Sequence, residues 1–254
     1  MNAKAPSRIY FPGDIPAHGR CELARAQSHH IARVLRLGVG DAIVLFDGAG
    51  GEYEAVIVRV KDALVTIDVG ERRAVDRESP LAVTLAQGIS GGERMDFTVQ
   101  KAVELGVARI QPLETSRSVV RLSDARAAKR RAHWQSIAIA ACEQSGRNRI
   151  PEVAPVVTLR DWLGASVPGH GELRILLAPD AERALGELPV PSGRVALIAG
   201  PEGGLTVEER EDVLRAGFVA ARLGPRVLRT ETAALAALAA MQTLWGDFRA
   251  VAPG

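Results

Sequence analysis

From residue 81 onward, short apolar runs alternate with helix-like segments, and that rhythm restricts the fold more than any other feature of the chain. The runs LAVTLAQ (81–87), ARIQPL (108–113), LRILLA (173–178), RVALIA (194–199) and FVAARL (218–223) have the length and content of strands buried on both faces. Helical patterns cover 92–105 and 124–145, with further helices between and after the later strands. This order predicts an α/β domain: a mostly parallel sheet with helices on both faces. Sheets of that kind bind ligands beyond the carboxyl ends of their strands, so the loops after residues 178, 199 and 223 are the first candidates for a site.

The preceding residues follow another pattern. RIYF (8–11), DAIVLF (41–46), EYEAVIVRV (52–60) and ALVTIDV (63–69) read as short strands. A glycine loop at 48–51 separates two of them, and Lys61-Asp62 reads as a hairpin turn. Between the first two, IARVLRL reads as a short helix capped by Ser28, with Ile31, Val34 and Leu35 on one face. This is a small β-rich barrel or sandwich of about 70 residues, near the lower limit for independent folding. The charged, proline-containing ERRAVDRESP (71–80) marks the linker, dividing the chain into 1–72 and 80–250.

Several function classes lose support at once. Cys21 and Cys142 lack CxxC spacing, no HExxH occurs, and neither a metal site nor a disulfide framework is expected. The N-terminus has no signal-peptide apolar run, and no segment offers the ~20 apolar residues of a membrane span. A reducing cytoplasm is the expected compartment. No GxGxxG occurs, and the glycine loop at 200–204 lacks the Lys-Ser/Thr of a P-loop, which weakens a nucleotide-dependent oxidoreductase or kinase.

Two strand-end segments carry chemistry. In IAGPEGGLTVEE (198–209), Thr206 and Glu209 form a capping box that starts a helix near Val207. That leaves Gly200-Pro201-Glu202-Gly203-Gly204-Leu205 as the loop. Gly203 and Gly204 permit positive φ and close approach of a ligand to the backbone, and Glu202 adds a carboxylate. LGPRVLRTETA (223–233) repeats the design, with Thr230 as the expected N-cap of an alanine-rich helix. Arg229 stands against the helix macrodipole there, which invites a functional explanation beside the plain one of an arginine in water.

The formal net charge of the 254 residues is only +2, yet segment 115–149 carries eight cationic side chains against two anionic ones, a net +6. A charge run on a helix is usually a solvated face. As a cluster, it has the form of a phosphate-backbone footprint. Glu143, Gln144 and Arg147 stand at the end of that helix, and the set either reads a base edge or includes a plain i,i+4 ion pair.

QKAVELGVARIQPLETSRS (100–118), ACEQSGR (141–147), IAGPEGGLTVEE and LGPRVLRTETA together resemble the signature segments of the bacterial 16S ribosomal RNA uracil-N3-methyltransferases, in the SPOUT class. RIYF and HHIARVLRLGVGD (29–41) resemble that family's PUA-like RNA-binding domain, so the resemblance covers nearly the whole chain. It implies a trefoil-knotted α/β methyltransferase domain that binds S-adenosylmethionine, a small PUA-like β-barrel, a homodimer, and 16S rRNA of the small ribosomal subunit as partner. Carried over residue by residue, it places Ala178, Gly200, Pro201, Glu202, Gly203, Leu223, Gly224, Leu228, Arg229, Thr230 and Ala233 at the cofactor. For chemistry, Arg229 and Arg147 are expected to stabilise a uracil anion, and Glu143 to orient the base or accept its proton. Arg8, Arg33, Arg36, Arg117 and Arg121 are the expected RNA contacts. The alternatives are the same chemistry at another rRNA or tRNA position, and a non-catalytic rRNA-binding assembly factor.

Overall fold

A computed structural model describes residues 6–118, 123–166 and 169–248. The chain divides into two compact units, one formed by Met1–Glu78 with Cys142–Ile150, the other by Ser79–Ala141 with Pro151–Gly254.

The first unit holds a five-stranded sheet of β1 (Ser7–Tyr10), β2 (Gly19–Glu22), β3 (Ala42–Phe46), β4 (Glu52–Lys61) and β5 (Leu64–Arg73), ordered β1-β3-β4-β5-β2. β1 runs parallel to β3, and the other pairs are antiparallel. Alternation along β4 and β5 sends Ala55, Ile57, Val65, Ile67 and Val69 into one core with Ile9, Leu23, Ile31, Ile43 and Leu45. The hairpin turn falls one residue later than its sequence suggests. Lys61 pairs with Leu64, and Asp62 and Ala63 take the two left-handed positions, φ 51° and 62°.

The short helix also departs from expectation. α1 starts earlier, at Arg25–His29, and continues as a π-helical turn over His30–Val34, closed by Leu35 N–H donating to the His30 carbonyl at 2.9 Å. That wider turn spoils the expected 3.6-residue face: Ile31 is buried, but Val34 is exposed. Ser28 is no cap. It lies buried, its hydroxyl donating to the Leu23 carbonyl and accepting from Val65 N–H, and so ties the helix to β5.

The second unit is an entirely parallel sheet. Its elements are β6 (Ala82–Gly88), α2 (Glu93–Glu104), β7 (Arg109–Glu114), α3 (Asp124–Ser145), β8 (Glu152–Val153), β9 (Val157–Thr158), α4 (Leu159–Ala165), β10 (Leu173–Leu177), β11 (Arg194–Ala199), α5 (Val207–Arg215), β12 (Val219–Ala221) and α6 (Thr230–Leu244). The strand order is β12-β10-β11-β6-β7-β8, with β9 also on β7. The last four residues of α3 belong to the first unit. On one face Leu113, Leu159, Leu176, Ile198, Val213 and Phe218 form a core, while α6 packs on α2 and over β6 and β11 through Ala234, Ala237, Leu238 and Met241. β6 is central: from it the chain fills the sheet first toward β7, later toward β11, which makes the carboxyl ends of β6, β11 and β10 a topological switch point. Among the described residues no helix is long and apolar enough to cross a membrane, and no group of three or more His, Cys, Asp and Glu could hold a metal ion.

Candidate functional site

The loop after β11 is a tight, tethered turn. Gly204 N–H donates to the Pro201 carbonyl at 2.8 Å, and Gly204, at φ 69°, takes the left-handed conformation. Gly203 does not, so one of the two expected positive-φ positions is filled; Gly203 instead lies against Arg117. The Arg117 guanidinium donates to the carbonyls of Gly203 (3.0 Å) and Leu205 (3.4 Å). Glu202 Oε1 accepts from Gly91 N–H at 2.9 Å and from Arg94 at 2.8 Å. Burial raises the Glu202 pKa, but these amides and the Arg94 cation outweigh it and hold the carboxyl below its ordinary value. Past the loop, the Thr206–Glu209 capping box forms as expected and α5 begins at Val207.

Two residues at the end of β6, absent from the motifs, hold this loop against α6. A Cβ on Gly88 would meet Pro201 N at 2.5 Å and the Gly200 carbonyl carbon at 2.9 Å, both backbone, so only glycine lets the chains approach this closely. The fully buried Gln87 amide donates to the Gly88 carbonyl and to Thr230 Oγ1, each at 3.0 Å, and more weakly to the Gly200 carbonyl at 3.4 Å. Thr230 Oγ1 in turn donates to the Gly200 carbonyl at 2.5 Å. Thr230 is therefore not the N-cap of α6. Arg229 occupies that position with no side-chain cap bond, because the threonine hydroxyl is engaged across the loop.

These segments enclose a cavity of about 510 Å³ at the carboxyl ends of β10, β11 and β12, within the volume range of small-molecule sites. Of the residues expected at a cofactor, Ala178, Gly200, Pro201, Glu202, Leu223, Leu228, Arg229, Thr230 and Ala233 line it. Gly203 and Gly224 belong to the same loops without lining it. The motifs did not single out Arg94, Asp180, Arg210, Arg226 and Glu231, which also line it. Arg210 grips both oxygens of Asp180 at 2.8 and 2.6 Å, and that hydrogen bond lowers the Asp180 pKa. The charge spacing alone could have suggested neither this pair nor Arg94–Glu202, since their partners stand 30 and 108 residues apart.

Leucine and alanine side chains supply an apolar surface, the loop supplies backbone groups, and three carboxylates stand at the cavity. One of their oxygens, Glu231 Oε2, is shut off from solvent with no hydrogen-bond partner among the described residues. That set suits a neutral nucleoside attached to a positively charged group, and S-adenosylmethionine is such a ligand.

Glu143, Arg147 and Arg8 belong to the first unit. Glu143 Oε1 accepts from Tyr10 N–H at 2.9 Å. Arg147, 7% exposed at its side chain, is ion-paired with Glu78. Arg8 is not presented to solvent as a phosphate contact would be. It ion-pairs with buried Glu52 at 2.6 Å, donates to Asn148 and lies over the Phe46 ring, which closes a network with Arg77. Arg33 and Arg36 are exposed, Arg117 holds the Gly203 loop, and Arg121 lies outside the described residues. Burial pushes the Cys142 thiol up to about 12, which removes it as a nucleophile near neutrality.

The family model described as an RNA methyltransferase domain matches residues 77–242, and one described as an RNA methyltransferase PUA domain matches 23–69. Ribosomal RNA small subunit methyltransferase E of Buchnera aphidicola subsp. Schizaphis graminum is 34% identical over 247 residues, covering 97% of this chain and 99% of that protein. The protein of the same name from Bacillus subtilis is 36% identical over 222 residues, covering 84% of this chain and 86% of that one. A crystal structure of ribosomal RNA small subunit methyltransferase E from Neisseria gonorrhoeae bound to S-adenosyl methionine matches with a TM-score of 0.91 and 44% identity, over 96% of this chain and 100% of that chain. A methyltransferase of Legionella pneumophila in complex with SAM matches with a TM-score of 0.91 and 42% identity, over the same shares.

Proposed function

Since the chain belongs to the RNA methyltransferase family, with a PUA domain and relatives named ribosomal RNA small subunit methyltransferase E, we propose that it methylates N3 of a uridine in 16S rRNA with S-adenosylmethionine as donor. The observation that carries this reading is the cavity at the ends of β10, β11 and β12, built from the loops after β11 and β12, in a chain that superposes on SAM-bound relatives.

When bound, S-adenosylmethionine supplies a methyl group on a sulfonium, ready for in-line displacement. Little covalent help is needed, so the residues act mainly by positioning. Leu223, Leu228, Ala178 and Ala233 take the apolar part of the ligand, and the Gly200–Leu205 backbone takes its polar edge. Arg229 is exposed at the cavity with no side-chain partner among the described residues, and its guanidinium is placed to stabilise the uracil anion on a carbonyl oxygen. Residues 1–72 act as the RNA reader with Arg33 and Arg36 toward phosphates, and 80–250 as the catalytic domain. Glu143 and Arg147 are engaged within the first unit, with Tyr10 N–H and Glu78, and take no part in this step. The reading also carries a knotted catalytic domain, a homodimer and a cytoplasmic location; the SPOUT resemblance and a ribosomal substrate support these.

The test is methylation of undermodified small ribosomal subunits with labelled S-adenosylmethionine, followed by mass spectrometry of the rRNA. Label on N3 of a single uridine is the expected result; label on another atom or on tRNA, or none with the cofactor bound, overturns the reading. Arg229→Ala is expected to slow single-turnover methylation by about 10²-fold or more while binding cofactor.

A further inference from the structure

Resting on that functional reading, we propose that Glu231 is the catalytic base that accepts the N3 proton of the target uracil. An imide N3–H is mostly protonated at neutral pH, and its lone pair becomes a nucleophile only as the proton leaves. The acceptor therefore has to stand at the cavity. Among the described residues no histidine, cysteine or lysine lines it, and its carboxylates are Asp180, Glu202 and Glu231.

The first two are already engaged. Asp180 is held by both of its oxygens on Arg210, and Glu202 by Gly91 N–H and Arg94. Both have lowered pKa values, which makes them weak proton acceptors. Glu231 differs in kind. No arginine pairs with it, and its Oε2 is closed to solvent and meets no donor among the described residues. It stands in the first turn of the 15-residue α6, on the wall of the cavity. A buried acceptor without a donor is costly to keep, and turning the carboxylate toward the cavity to accept from an arriving N–H group relieves that cost. Arg229, two residues earlier on the same cavity, is placed to take the negative charge that builds on the ring.

The N3 proton passes to the Glu231 carboxylate, and the N3 lone pair forms the N–CH3 bond. The C–S bond breaks with its electron pair staying on sulfur, leaving S-adenosylhomocysteine and a protonated Glu231 that returns its proton to water.

The experiment compares wild type, Glu231→Gln and Glu231→Asp by calorimetry with S-adenosylmethionine and by single-turnover methylation of undermodified small subunits between pH 6 and 8.5. Glu231→Gln should bind the cofactor within about threefold of wild type and methylate at least about 10²-fold more slowly. Its residual rate should climb about tenfold per pH unit, because the uracil anion must then form without the base. Glu231→Asp should recover part of the rate. Subunits carrying 5-fluorouridine at the target, whose N3 proton is more acidic, should rescue the Gln variant more than wild type. A Gln variant with the wild-type rate and pH profile overturns the assignment, and so does one that loses cofactor binding, which would make Glu231 a cofactor ligand. If Glu231→Gln does not fold, an Asp variant with unchanged rate and pH profile overturns it equally. A wild type that binds cofactor but leaves N3 unmethylated defeats the functional reading itself, and the base assignment falls with it.

Discussion

Glu52 shows how a single charge is made to serve the first unit. Burial alone would raise its pKa, but hydrogen bonds from Arg77, Arg8 and Asn148 outweigh that and hold it at about 2, against an ordinary 4.5. The folded value lies below the unfolded one, so the stabilisation is complete above about pH 4.5 and is lost as pH falls toward 2. By linkage it amounts to roughly 3 kcal/mol. Glu52→Gln should lower the neutral-pH stability by about that amount, since it leaves buried Arg8 unpaired, and should flatten the stability curve between pH 4.5 and 2. Denaturant melts across that range check both. At the same scale, Cys142 should resist alkylation in the native protein at pH 8 and react only after unfolding, a contrast visible by intact-mass measurement.

At the scale of elements, the cavity depends on the end of β6 as much as on the two glycine loops after β11 and β12. Gly88→Ala would force the Gly200–Pro201 backbone away, and it should weaken S-adenosylmethionine binding at least about tenfold with modest loss of stability. Thr230→Val, which keeps the shape but removes both hydroxyl bonds, should do the same more mildly; calorimetry reads both. The long strands and α2, α3 and α5 were legible because apolar runs and caps are local signals. Strands β2, β8 and β9 were not: at two to four residues they carry no period, and only their partners define them. Gln87 and Gly88 escaped for a related reason, since their meaning lies in contacts 113 and 143 residues along the chain. Glu231 was in view within LRTETA but is a common residue type for a first helical turn, and only the missing donor sets it apart.

For the whole molecule, charge is sorted by task. Many arginines of the net +6 segment and the PUA-matching unit are spent internally: Arg117 on the Gly203 loop, Arg131 on the Val153 carbonyl, Arg147 on Glu78 and Arg8 on Glu52. Arg33 and Arg36 are exposed, and on the proposed reading they release counterions from RNA. Replacing either by glutamine should shrink the slope of log affinity against log salt by about 0.7–0.9 and leave cofactor affinity unchanged. Titrations of rRNA binding over a salt series measure it. A net charge of +2 could not have told internal arginines from outward ones, because that distinction arises only from folding.

The first unit recruits Cys142–Ile150, and with it Asn148, whose amide reaches both Glu52 and the Val75 carbonyl. On a ribosome making the chain from its N-terminus, the strands β1 to β5 emerge long before that segment does. During the interval Glu52 faces two arginines without its amide partner, and the sheet lacks the Ile150 side chain that fills the space over Gly48. Synthesis order thus delays completion of the first unit until residue 150 has been made. A fragment ending at Glu78 should accordingly refold into a less stable state than the same sheet in the full chain, one that a synthetic 142–150 peptide partly restores.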